Sequence, residues 1–116
     1  MTITVVVVRP HRTNYPDPVR FSEGQTLRLG EGDPDFPGWI RVVDPEGRSG
    51  WAPEAILRKV NERQAVAKED YCARELDVTP QQRLTVHREL AGWIWVGNEE
   101  GELGWVPADV TRPLTP

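Results

Sequence analysis

The residues able to do covalent or metal chemistry are few. Cys72 is the only cysteine, and His11 and His87 are the only histidines. A Cys–His hydrolase needs thiol and base within hydrogen-bond reach, with a third group to orient the base. The residues flanking Cys72 form no hydrolase signature. One thiol and two imidazoles are a thin set for zinc. Gly30-Glu31-Gly32-Asp33 is acidic and opens no helix, so it is not a phosphate loop. The sequence therefore predicts no enzyme, no metal site and no cofactor. Another set of residues suits non-covalent recognition: five tryptophans, eleven prolines and a surplus of carboxylates. Indoles offer a broad apolar face with one N–H donor, and carboxylates accept from basic side chains.

Composition narrows the classes further. The chain has 116 residues, with 14 Lys+Arg against 18 Asp+Glu, for a net charge of −4. Net acidity argues against a general nucleic-acid binder, which needs a basic face to release counterions. The longest apolar run, residues 3–8, is interrupted by Thr4 and falls far short of the roughly 20 residues a membrane helix needs. The N-terminus lacks the basic start, apolar core and cleavage site of a signal peptide. A single cysteine excludes an intramolecular disulfide. The expectation is a cytoplasmic protein with no nucleic-acid or membrane partner.

The elements that must position the recognition residues are short. Eleven Pro and ten Gly punctuate the chain too often for long helices. Between them lie apolar runs with period-two alternation: Leu27-Arg28-Leu29, Trp39-Ile40-Arg41-Val42, Leu84-Thr85-Val86 and Trp93-Ile94-Trp95-Val96. These read as strands. Residues 54–67 fit a helical stripe poorly and read as a short turn after Pro53 followed by a linker.

The runs repeat. Gly38-Trp39-Ile40-Arg41-Val42 recurs 54 residues later as Gly92-Trp93-Ile94-Trp95-Val96, and Gly50-Trp51-Ala52-Pro53 recurs at the same offset as Gly104-Trp105-Val106-Pro107. Upstream, Val19-x-Phe21 and Leu27-x-Leu29 match Leu76-x-Val78 and Leu84-x-Val86 at an offset of 57. The difference is a three-residue insertion in the Gly/Pro-rich loop before Trp39, where a fixed framework tolerates variable length. The chain thus reads as two copies. The first spans residues 1–57, a short basic linker spans 58–64, and the second copy with a C-terminal tail spans 65–116. The expected core of the first copy is Val5, Val7, Phe21, Leu27, Leu29, Ile40, Val42, Ala52 and Ile56. That of the second is Ala65, Ala67, Leu76, Leu84, Val86, Ile94, Val96, Val106 and Val110.

Each copy resembles an SH3 domain. In the second, residues 67–73 resemble the first strand and the start of the long loop. Glu75-Leu76-Asp77-Val78 resembles the loop exit, Gly92-Trp93 the start of the Trp strand, and residues 104–110 the closing segment. In the first copy the same parts are Val5 to Val8, Val19 to Phe21, Gly38-Trp39 and Gly50 to Leu57. The resemblance, nearest to bacterial variant SH3 domains in tandem, implies an all-β fold of two small SH3-like β-barrels.

It also implies a site. Trp39 and Trp93 alternate with core aliphatics, so they face outward, where SH3 domains line a ligand groove. Pro53 and Pro107 occupy the groove-proline position, although the fixed φ of a turn-initiating proline explains them equally well. Tyr71 resembles the second Tyr of the loop-opening motif, with Glu69 in place of the first. His11 stands near the matching position in the first copy, with Tyr15 further along the loop. The tyrosine of the closing segment is replaced by Ile56 and Val110. Much of the aromatic ladder that grips Pro-x-x-Pro ligands is therefore absent, which favours some other segment.

Residues 65–111 hold nine acids against four bases, net −5, while residues 1–57 hold eight against six, net −2. Glu69, Asp70, Glu75 and Asp77 are placed to meet a basic ligand residue beside Trp93, or else form a solvated surface. Pro34 to Pro37 and the tail Arg112 to Pro116 are themselves Pro-x-x-Pro strings, and a docked tail would give a homodimer. The expected function is a non-catalytic, adaptor-like module that binds a basic or proline-containing protein or peptide segment. Two alternatives stand beside it: an assembly protein whose Trp surfaces are buried between domains or subunits, and a cell-wall-recognising SH3 domain.

Overall fold

Short runs of Val, Ile, Leu and Trp bounded by Gly, Pro and Asp favour strands joined by tight turns, and the computed structural model has that composition. It describes residues 3–13 and 17–114. In chain order the strands are β1 (Ile3–Val7), β2 (Arg20–Phe21), β3 (Thr26–Gly32), β4 (Trp39–Val43), β5 (Ser49–Pro53), β6 (Leu57–Asn61), β7 (Gln64–Ala67), β8 (Tyr71–Cys72), β9 (Arg83–Leu90), β10 (Trp93–Gly97), β11 (Leu103–Pro107) and β12 (Thr111–Pro113). Single 3-10 turns at Glu54–Ile56 and Ala108–Val110 follow β5 and β11. The fold is all-β, with no α-helix among the described residues.

The chain divides into two units. Unit 1 comprises Met1–Pro16 and Arg74–Pro116, and unit 2 comprises Asp17–Ala73. Unit 2 carries a five-stranded antiparallel sheet in the order β5-β4-β3-β7-β6 and the small β2-β8 pair. Unit 1 carries a five-stranded antiparallel sheet in the order β11-β10-β9-β1-β12. The two orders correspond strand for strand, and among the described residues both sheets are open.

The correspondence exposes an exchange that corrects the expected grouping. β1, expected in the first copy, pairs with β9 (Val5 opposite Leu84) and with β12 (Val6 opposite Arg112). Val5 and Val7 pack with Leu76, Val78, Leu84, Ile94, Val96, Val106 and Val110. β7, expected in the second copy, lies between β3 and β6 of unit 2, with Ala65 opposite both Leu27 and Lys59. Residues 58–64 are therefore not a linker but most of a hairpin.

The cause is local. Only Glu62 and Arg63 separate β6 from β7, and a two-residue connection folds the following strand antiparallel onto the one before it. Asn61 fixes the turn: its Oδ1 accepts from Arg63 N at 2.8 Å and its Nδ2 donates to Gln64 Oε1 at 3.1 Å. β7 therefore fills the slot beside β6, and β1 fills the equivalent slot in unit 1.

The expected core residues are buried apart from Leu29 and Val86, which are half-buried; Val19 and Val78, not expected there, are fully buried. Val19 and Leu76 explain the repeated glycines. A Cβ on Gly50 would stand 3.0 Å from Val19 Cγ1, and one on Gly104 would stand 2.8 Å from Leu76 Cγ. A side chain at Gly104 would force Leu76 to shift, and one at Gly50 would require Val19 to give by a few tenths of an ångström.

Asp44, the one buried charged residue among those described, organises the β4–β5 turn. Its Oδ1 accepts from Glu46 N (2.9 Å) and Arg48 N (3.0 Å), and its Oδ2 from Arg20 N (3.2 Å) and Arg48 Nε (2.7 Å). Burial pushes its carboxyl pKa up. The Arg48 bond and the backbone N–H groups of Arg20, Arg48 and Glu46 outweigh burial and hold it below the ordinary value. Asn98 occupies the equivalent turn in unit 1, its Oδ1 accepting from Glu100 N (3.0 Å) and Glu102 N (2.9 Å).

Three outcomes are expected. Val7→Asp puts an unpaired charge into a fully buried site, at a cost on the order of 3–5 kcal/mol. Amide spectra should lose the β9–β11 signals first and keep those of β3–β5; the reverse order would contradict the strand exchange. Asp44→Ala leaves three backbone donors without their acceptor and should cost about 1.5–3 kcal/mol in urea unfolding. Asp44→Asn, which copies Asn98, should cost less. A carboxyl whose folded pKa is lowered stabilises fully above its unfolded pKa of about 3.9, and this stabilisation is lost as pH falls through the folded pKa. Wild type should thus lose more stability than Asp44→Asn on acidification below about pH 4.

Candidate functional site

The candidate site lies in unit 1 and draws on two separate passages of the chain. After β1 the chain runs outward through His11, which forms an antiparallel bridge with Val78 on the returning passage. His11 N donates to Val78 O at 3.0 Å, and Val78 N to His11 O at 2.9 Å. The bridge places the His11 ring between Glu75 and Trp93. Its Nε2 donates to Glu75 Oε1 at 2.7 Å, with the two side chains 18% and 14% exposed. Its ring meets the Trp93 indole edge-on, with centroids 5.7 Å apart and planes at 80°, a favourable arrangement for two π-systems. Two residues further along, Thr13 N donates to Asp77 Oδ1 at 2.8 Å. Arg12 Nη1 lies 3.7 Å from Asp77 Oδ2 in an exposed ion pair.

β10 presents Trp93 at its first residue, directly opposite Pro107 on β11. Ile94 and Val96 point into the core, so Trp93 faces the other way, and both Trp93 and Pro107 are half-buried. The result is an indole and a proline opposite each other on paired strands, with the His11–Glu75 pair at the indole and Asp77 held by the residues that follow His11. Such a surface can hold an apolar or proline segment and accept from a basic side chain next to it.

The other expected site residues lie in unit 2. Trp39 and Pro53 are opposite each other on β4 and β5, and both are buried, Trp39 to 6% exposure. The expectation of an outward groove there is corrected. Alternation gave the face correctly, since Ile40 and Val42 are in the core, but it says nothing of what covers an outward indole. The longer loop before β4 folds back on this position, with Asp33 N bonded to Trp39 O at 2.9 Å and Trp39 N to Phe36 O at 3.3 Å. Tyr71 has a structural role. Its hydroxyl donates to Trp51 O at 2.9 Å, and its ring lies 5.3 Å from that of Phe21, its partner across the β2-β8 pair.

Glu69 and Asp70, expected beside Trp93, belong to unit 2, where Asp70 Oδ1 accepts from Glu23 N at 2.8 Å. His11, expected near Trp39, is instead at Trp93. Tyr15 lies outside the described residues, as do Thr115 and Pro116 of the tail. Arg112 and Pro113 are part of β12, paired with Val6 and Val5. Arg12 and Thr13 were missed by sequence reasoning. They adjoin His11, but the expected grouping kept that segment away from Asp77.

Cys72 is half-buried and forms no disulfide. No group of three or more His, Cys, Asp or Glu residues among those described is placed to hold a metal. No described helix is long and apolar enough to cross a membrane.

The family model of the variant SH3 domain matches residues 4–60. SH3 domains are generally non-catalytic modules that bind proteins or peptides. The matched SH3 stretch begins in β1 and ends in β6, so it includes a strand that serves unit 1 and stops before β7, which completes unit 2. A search of curated proteins returned no relative of the chain.

If His11 holds the edge of Trp93, His11→Ala should move the Trp93 indole N–H resonance and leave that of Trp39 in place. Glu75→Gln keeps an oxygen acceptor and should move the Trp93 resonance less. A Trp93 resonance unaffected by His11→Ala would contradict the arrangement.

Proposed function

We propose that each unit is an SH3-like barrel and that the chain is a protein- or peptide-binding module working chiefly through the Trp93 surface of unit 1. The observation that carries this reading is the convergence of His11, Glu75 and Trp93 from two chain passages beside Pro107 and Asp77. An apolar or proline residue of the ligand lies across Trp93 and Pro107. A ligand arginine or lysine takes Asp77 from Arg12; an exposed pair of that kind contributes only about 0.2–1 kcal/mol, so it yields readily to a better-placed cation. Glu75, bound to the half-buried His11, keeps the indole in position. Affinity through one shallow surface is modest, as suits an adaptor-like module.

A structural reading is favoured at one position. Trp39 is buried together with Pro53, and its indole works as packing rather than as a groove.

The test is a titration of the isotope-labelled protein with short peptides carrying arginine and proline. Shifts should concentrate at His11, Asp77 and the Trp93 indole. Trp93→Ala should weaken binding by about ten-fold or more, as for a central aromatic contact. Asp77→Asn should weaken it several-fold and flatten its salt dependence. Peptide binding that survives Trp93→Ala in a folded protein, or shifts confined to β3–β5, would overturn the assignment.

A further inference from the structure

The two halves of the candidate site lie on different passages of the chain. His11 and Thr13 precede unit 2 in sequence; Glu75, Asp77, Val78 and Trp93 follow it. In unit 1 the passages meet as a hairpin whose tip is missing, and in its place the chain leaves to form the whole of unit 2. Unit 2 is contiguous in sequence, and its two ends are tied together. Arg20 pairs with Cys72 and Phe21 with Tyr71, and Ala73 N donates to Val19 O at 2.9 Å.

From this we infer that folded unit 2 acts as the closing clamp of the unit 1 site, so that assembly of the site is coupled to the state of unit 2. With unit 2 folded, His11 and Glu75 are joined through a short path of about seven residues and the clamp bonds. With unit 2 unfolded, the same junction is a loop of about 60 residues, residues 14–73. Closure probability falls roughly as the 3/2 power of loop length, so loss of the clamp disfavours assembly of the site by roughly 10- to 30-fold. A sheet unit of this size has little stability to spare, and such a factor sets how often the site is open. By linkage, a ligand that holds His11 against Glu75 stabilises unit 2 by the same factor. Unit 2 thereby regulates the site without contributing a residue to it.

The inference concerns the site whose binding role is proposed above, but its test needs no ligand, so the two can fail separately. A flexible segment of about 30 Gly and Ser residues inserted between Ala73 and Arg74 of the full chain leaves both units' residues intact and lengthens the clamped path. Native-state amide exchange in β9 and β10 should then accelerate about ten-fold. The same segment inserted between Pro34 and Asp35, in the exposed loop of unit 2 that already differs in length between the copies, lies outside that path. It should leave β9 and β10 exchange unchanged while unit 2 amide signals report that unit 2 stays folded. If the insertion after Ala73 leaves β9 and β10 exchange unchanged, or if both insertions accelerate it equally while unit 2 remains folded, the clamp is refuted.

Discussion

A turn of two residues governs the topology of this protein. Glu62 and Arg63 leave β7 no course except back along β6. Once β7 lies there, with Ala65 and Ala67 buried, the first-strand position of unit 2 is occupied. The N-terminal strand then completes the other sheet, where Val5 and Val7 supply apolar bulk between Leu84 and the β12 edge. Each sheet needs this strand, because it joins the three-stranded meander to the last strand. Exchange of equivalent strands satisfies both sheets and preserves every ladder that a simple tandem would have made.

The same constraint builds the candidate site. A strand moved from one unit to another takes its following segment with it, so His11 arrives at Trp93 rather than at Trp39. The carboxylates divide likewise, with Glu75 and Asp77 on the returning passage of unit 1 and Glu69 and Asp70 in unit 2. The two repeats consequently differ at the tryptophan position. One presents a half-buried indole among a histidine and acids. The other buries its indole opposite a buried proline, and the loop of residues 33–39 is bonded to its backbone.

Much of this was legible in the residues. Period-two alternation located β3, β4, β9 and β10, and the repeated Gly-Trp-x-Pro segments located β5 and β11 together with the turns that follow them. The repeat also marked Gly50 and Gly104, whose lack of a side chain admits Val19 and Leu76. What was not legible was which copy each first strand would complete. Val5-x-Val7 and Ala65-x-Ala67 are interchangeable as patterns, and a pattern records the kind of slot a strand fills, not whose slot it is. The deciding signal, a gap of two residues after Asn61, was visible in the sequence but read as a linker. Burial of Trp39 was hidden for another reason. Alternation assigns a face, while exposure depends on loops, and loops carry no periodicity.

The most direct measurement is a methyl NOE spectrum of the full chain with Ala, Val, Leu and Ile methyl groups labelled. The exchanged topology predicts contacts from Val5 and Val7 to the core formed by Leu84, Val96 and Val106, and contacts from Ala65 to Leu27. Contacts from Val7 to Val42 and Ile40, with Ala65 against Leu84, would describe two sequential domains and contradict the account.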